Sequence, residues 1–243
     1  MAAPAPQQTY YLILPPQPPE LELPARPVAR LLQEEEANVP GLFKSPGYTV
    51  LRRFAKVANA EGLKQQLEAF GARAFVVSDG ALRGHLFIWV KDARHGGGGM
   101  ALTDFAGQPI FCPWNDIAAL VLMEVERVDG TLTRWVDLVR KSSPVTPRLD
   151  TAMFDFPAMM NRSDATLRHF LDTLEESSAC AVDMGFGRSQ KAMAQVVADL
   201  ATAPSEVAPP SAALPQGYAR AAHRAANAYS FLRRHDLLEG GKG

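Results

Sequence analysis

The chain has 243 residues, 47% of them hydrophobic and 21% charged, with a formal net charge of −1. These are the proportions of an ordinary water-soluble fold, long enough for one large domain or two small ones. A chain so near neutrality has no global field for nucleic acid or an anionic membrane, so neither is expected as a partner. No stretch approaches the roughly 20 apolar residues of a membrane span. The N-terminus has no basic region and only a short apolar run, a poor match to a signal peptide, so a cytoplasmic protein is expected.

Residues 1–8 are rich in Ala, Pro and Gln and read as a disordered tail. An α+β sandwich domain is expected over residues 9–80. Thr9 to Leu14 suits a strand, and the proline-rich stretch to Pro27 an extended connector. Val28, Leu31 and Leu32 mark a short helix, with Glu34 to Glu36 on its solvated face. Tyr48 to Val57 reads as a strand. Asn59 is placed to cap a helix carrying Ala60, Leu63, Leu67 and Phe70, and Gly71 to end it. Ala72 to Val77 is a compact strand closed by Asp79-Gly80. Strand, helix, strand, helix, strand is the order of a small ferredoxin-like half.

Near residue 84 strands begin to follow strands. His85 to Lys91 carries apolar residues on both faces: Leu86, Ile88 and Val90 on one, Phe87 and Trp89 on the other. Such a strand is either central and covered twice or half of a contact surface. After a loop over residues 92–99, Met100 to Phe105 and Pro109 to Trp114 read as strands. Two long apolar runs then flank Asp129-Gly130, a hairpin signal of type I′. Pro144 and Pro147 predict an edge or loop position. Leu149 to Phe156 is a candidate last strand. Ser163 is the expected cap, and Asp164 the first turn, of a helix with Leu167, Phe170, Leu171 and Leu174 on one stripe.

The segments CPWNDIAALVL, TRWVDLV and RLDTAMFDF, followed by that helix, resemble a bacterial pleckstrin-homology-like domain over residues 84–178. The resemblance implies an antiparallel β-roll capped by a helix. Its motifs are core and turn residues, so it implies fold and not activity. Beyond it, a helix is expected over 188–202, an Ala/Pro linker over 203–216 and a C-terminal helix over 217–238.

Arg94-His95 and the glycines after them, Gly97 and Gly98 among them, are the candidate ligand site. Glycines free backbone N–H groups to face an anion, and Arg94 adds charge. The spacing lacks the strand–glycine–helix order of a phosphate loop, and a hairpin loop is the simpler reading. His85, His95 and Cys112 are chemically suited to zinc, yet no two share ligand spacing, and Cys112 and Cys180 form no C-x-x-C pair. No metal, cofactor or catalytic residue is assigned. Asp116, Asp137 and Asp150 could meet only through the fold, and Asp116 is expected to stabilise the turn after Trp114.

The terminal helix sets Tyr218, Arg220, Arg224, Tyr229 and Arg233 beside an alanine-rich stripe. They are the candidate partner-binding residues, and docking on the protein's own body or on another protein is favoured over a membrane. The expected function is a non-enzymatic interaction or adaptor module. One alternative is a regulatory protein responding to a small anion. Another is a hydrolase with no recognisable motif.

Overall fold

The computed structural model describes residues 8–200 and 220–239. In chain order the elements are β1 (Tyr10–Leu14), α1 (Ala25–Leu32), α2 (Val39–Phe43), β2 (Thr49–Phe54), α3 (Val57–Ala69), β3 (Phe75–Ser78) and α4 (Asp79–Gly84). Then come β4 (Phe87–Gly96), β5 (Gly99–Asp104), β6 (Pro109–Pro113), β7 (Ile117–Glu126), β8 (Leu132–Arg140) and β9 (Thr146–Asp150). The last are α5 (Phe156–Met160), α6 (Leu167–Ser178), β10 (Val182–Asp183), α7 (Gln190–Leu200) and α8 (Arg220–Glu239). The fold is α+β, with one three-stranded and one seven-stranded sheet. No described helix is long and apolar enough to cross a membrane.

The described residues divide into two units: 8–84 with 188–200, and 85–187 with 220–239. In the first, β1 lies between β2 and β3 and is antiparallel to both. Tyr11 to Leu14 are buried, as befits a central strand. Leu12 and Leu14 pack with Val28 and Leu32 of α1 and with Leu63 and Leu67 of α3. The expected strands and helices are present, with α2 added between α1 and β2, but α3 starts at Val57, with Lys56 rather than Asn59 as its N-terminal cap and no side-chain bond there. Burial of Ala60, Leu63 and Leu67 sets this helix, because tertiary packing outweighs a missing cap. Its end is as read: Gly71 has φ +87° and its N–H reaches Glu68 O at 2.8 Å, while Ala72 N–H reaches Leu67 O.

Glu34 and Glu35 lie beyond α1 rather than on its face, because Gln33 in the left-handed region stops the helix. Asp79-Gly80 opens α4 instead of making a turn. The Asp79 carboxylate accepts from Thr9 N–H. Helix α7 belongs to this unit. Ala192, Met193 and Val196 are buried, and Ser189 Oγ accepts from Tyr48 N–H at 3.0 Å.

The larger sheet runs β10-β7-β8-β9-β4-β5-β6. The expected run of consecutive antiparallel strands holds for β4-β5-β6 and for β7-β8-β9, but β9 lies parallel to β4 and β10 parallel to β7. One face packs Val90, Leu120, Val136, Leu138 and Leu149 against Phe170, Leu171 and Leu174 of α6. The opposite face carries Trp89, Val121, Met123, Trp135, Asp137 and Arg148, as the cross-strand registers require, and α8 contributes side chains there. The sheet is therefore covered twice, which is why β7 and β8 read as nearly unbroken apolar runs.

Five expectations differ from the structure. The loop expected over 92–99 is strand to Gly96 and strand again from Gly99, leaving Gly97-Gly98 as a tight hairpin turn. The Asp129-Gly130 hairpin closes with Gly130 N–H on Arg127 O, and only Gly130 has positive φ, so it is not type I′. Pro147 sits inside the sheet, not at an edge. It pairs with Ile88 of β4, and the β8–β9 ladder starts only at Arg148, so the missing N–H falls where no bond is needed. Thr166, not Ser163, caps α6, accepting from His169 N–H, and this leaves Asp164 outside the helix. The strand expected over 149–156 gives way after Asp150, whose carboxylate caps the next turn through Ala152 N–H.

Candidate functional site

Arg148 and Asp137 form the polar centre of the second unit. Both side chains are fully buried. The guanidinium donates twice to the carboxylate, Nε to Oδ1 at 2.7 Å and Nη2 to Oδ2 at 2.6 Å. The adjacent strands β8 and β9 place the two residues opposite each other in register. Burying two charges costs several kcal/mol per ion, so such a pair survives only with its remaining donors and acceptors satisfied.

Helix α8 supplies two of the bonds that the pair needs. Arg148 Nη1 donates to Asn227 Oδ1 at 3.0 Å, and Ser230 Oγ donates to Asp137 Oδ2. Three rings surround the guanidinium: Phe87 at 4.7 Å, Trp135 at 5.0 Å and Trp89 at 5.7 Å from Cζ. Such rings attract a cation through their π faces. His223 of α8 joins them, stacked on Phe87 at 6.2 Å and tilted against Trp135 at 5.1 Å. The Trp89 indole N–H is buried and has no hydrogen-bond acceptor among the described residues.

His223, Asn227, Ser230 and Arg234 are spaced 4, 3 and 4 apart, which is one row along a helix. Arg234 ends the row by donating to the carbonyls of Arg140 and Lys141 at the end of β8. A neighbouring row ties α8 to the sheet edge. Tyr229 OH donates to both Asp183 oxygens at 3.0 and 3.1 Å, and Arg233 Nε lies 2.8 Å from Asp183. His85, before β4, meets Phe231 of α8 edge-on at 5.7 Å and Thr146 Oγ1 at 3.2 Å.

This charged setting displaces the histidines' affinity for protons. His85 is lowered to about 4 by burial, then by the positive charges of Arg148 and Arg234. His223 is lowered to about 4 by burial and Arg148. Both are neutral at pH 7, and protonating either would add a cation beside Arg148.

The candidate residues fall in separate places. Arg94 is exposed on β4 and lies 3.8 Å from Asp92. His95 meets Ser177 of α6 at 3.3 Å and tilts against Trp114. Gly97 and Gly98 form the turn between β4 and β5, and Gly98 O accepts from Trp114 N–H. No glycine of this run has φ in the left-handed region, whereas a nest of N–H groups needs that alternation. Of the partner-binding set, Tyr229 and Arg233 engage Asp183 within their own unit, and Arg224 is half-buried on α8. Arg220 opens α8, and Tyr218 lies outside the described residues.

His85, His95 and Cys112 are not brought together. Cys112 is a core residue whose thiol burial pushes up to about 11. Among the described residues no three His, Cys, Asp or Glu side chains are grouped to hold a metal. The three aspartates do not meet as a pair. Asp137 binds Arg148, Asp150 accepts from Thr133, and Asp116 accepts from Arg140 and Ser142, bracing the turn after Trp114. Burial works to raise the Asp116 carboxyl, but its bonds from Ser142 and Arg140 hold it below its ordinary value.

Sequence reasoning missed Arg148, Asp137, Asn227 and Ser230 as one site. The signal was available: a lone Asp inside TRWVDLV and a lone Arg in the next strand are charges in apolar runs, and buried charges need partners. No family model, no curated protein and no solved structure matches the chain.

Proposed function

We propose that the chain is a non-enzymatic protein-interaction module whose second unit carries a helix-binding seat, filled by α8. The carrying observation is the chemistry of that seat. A helix held by an apolar stripe alone gains from staying out of water. Here the buried Arg148–Asp137 pair regains hydration when α8 leaves, which offsets part of the lost packing. The docked and released states therefore lie closer in free energy than the size of α8 suggests, as suits a helix-in-groove contact. The pleckstrin-homology-like reading of the second unit belongs to this proposal. It is supported by the antiparallel meanders and by α6 seated on the sheet. The parallel β4–β9 pair is an addition to such a roll. The ferredoxin-like reading of the first unit has less support, because both neighbours of β1 are antiparallel to it.

The test compares the full wild-type chain with Asn227→Leu/Ser230→Leu, which breaks the helix side of the seat. Each is used as bait in quantitative co-isolation from its native extract. A protein retained more strongly by the variant supports the module. Equal, empty baits together with turnover of a small substrate by the wild type would remove it.

A further inference from the structure

We propose that the helix accepted by this seat in trans is α8 of a second copy of the chain. The inference rests on the reading of α8 as a displaceable helix and names its competitor. The seat is selective. An occupant must offer an acceptor to Arg148 Nη1 and, one turn on, a donor to Asp137 Oδ2, which Asn227 and Ser230 do. It must also bring a guanidinium to the carbonyls at the end of β8, and a hydroxyl and a second guanidinium to Asp183. An ordinary amphipathic helix would leave the buried ion pair short of partners. A helix built like α8 meets every requirement, and each further copy of the chain brings one.

The connection permits the exchange. Residues 201–219, nineteen in number, separate α7 of the first unit from α8 of the second. Fully extended they would span about 60 Å at roughly 3.3 Å per residue. The same bonds form in cis and in trans, so the balance depends on the effective concentration of the tethered helix, on the order of millimolar for short tethers. The closed monomer is then favoured at micromolar concentration and the exchanged dimer at high concentration. A formal net charge of −1 sets no long-range repulsion between copies.

Two full-length variants test this. Variant one, Asp137→Leu/Arg148→Met, has an apolar seat and a native α8. Variant two, Asn227→Leu/Ser230→Leu, has a native seat and an apolar row. Each is mismatched with itself, and together they offer two matched pairings. The expected result is a heterodimer on mixing at about 100 μM, seen by light scattering and two-tag co-elution, at least tenfold above either homodimer. Two monomers with α8 unprotected from hydrogen exchange would overturn the exchange and leave the displaceable helix standing. Variants that keep α8 protected and stay monomeric would overturn both, because the polar row would then select nothing. If either variant fails to fold, the wild-type chain is titrated with a fluorescent peptide of residues 220–239. Saturable binding that unlabelled peptide reverses supports the proposal, and no binding up to millimolar peptide overturns it.

Discussion

Arg148 and Asp137 face each other across β8 and β9 with no solvent exposure, joined by two hydrogen bonds of 2.7 and 2.6 Å. Removing one member leaves the other as an uncompensated buried charge. Asp137→Leu or Arg148→Met alone should cost about 3–5 kcal/mol, and the double variant less than either single. Urea unfolding of the four proteins gives the coupling energy. Additive losses would show that the two side chains do not act as a unit.

Ser230→Ala should leave one Asp137 oxygen without its hydroxyl donor, at about 1–3 kcal/mol. The loss should fall on α8. Amide exchange should quicken along residues 220–239 and stay unchanged in α6, which packs on the other face. Uniform quickening across the unit would mean that α8 does not open separately.

Acid should loosen the α8 face. The docked state holds His85 and His223 at about 4, below the ordinary 6.5. A histidine depressed in the folded state binds fewer protons there, so its full stability is present above pH 6.5 and falls as pH drops from 6.5 towards 4. The loss is at most about 3 kcal/mol for each ring. Unfolding midpoints between pH 7.5 and 4 should fall for the wild type and fall less for His85→Gln/His223→Gln. Identical slopes would place the titration on other groups.

Gly99 and Gly97 should respond differently to alanine. A Cβ on Gly99 would lie 2.3 Å from Cys112 O, a backbone atom that cannot turn aside, whereas nothing lies within 4 Å at Gly97. Gly99→Ala should cost about 1–3 kcal/mol or more, and Gly97→Ala little. Thermal denaturation separates them. Equal effects would mean that the run acts through chain entropy alone.

Elements with a strong local signal were legible in the sequence. The switch near residue 84, the stripe of α6 and the end of α3 at Gly71 all follow from periodicity or from a glycine with one use. Starting points were less legible, since Lys56 and Thr166 take cap positions that Asn59 and Ser163 advertise more clearly. The double cover of His85–Lys91 was one of two readings, because apolar faces show burial but not by what. The seat was hidden for a different reason. Its parts stand on β4, β8, β9 and α8, and the alanine stripe of α8 drew attention from the polar row beside it. The buried positions include Ser230 and Asp236, which no hydropathy pattern would select.

Each unit borrows its closing helix from chain made after its sheet: α7 for the first, α8 for the second. During synthesis the strands bearing Arg148 and Asp137 leave the ribosome some eighty residues before Ser230. The nascent second unit must therefore wait, its ion pair wet, until its last helix is translated. A stalled or clipped chain would present an open seat to whatever helix came first.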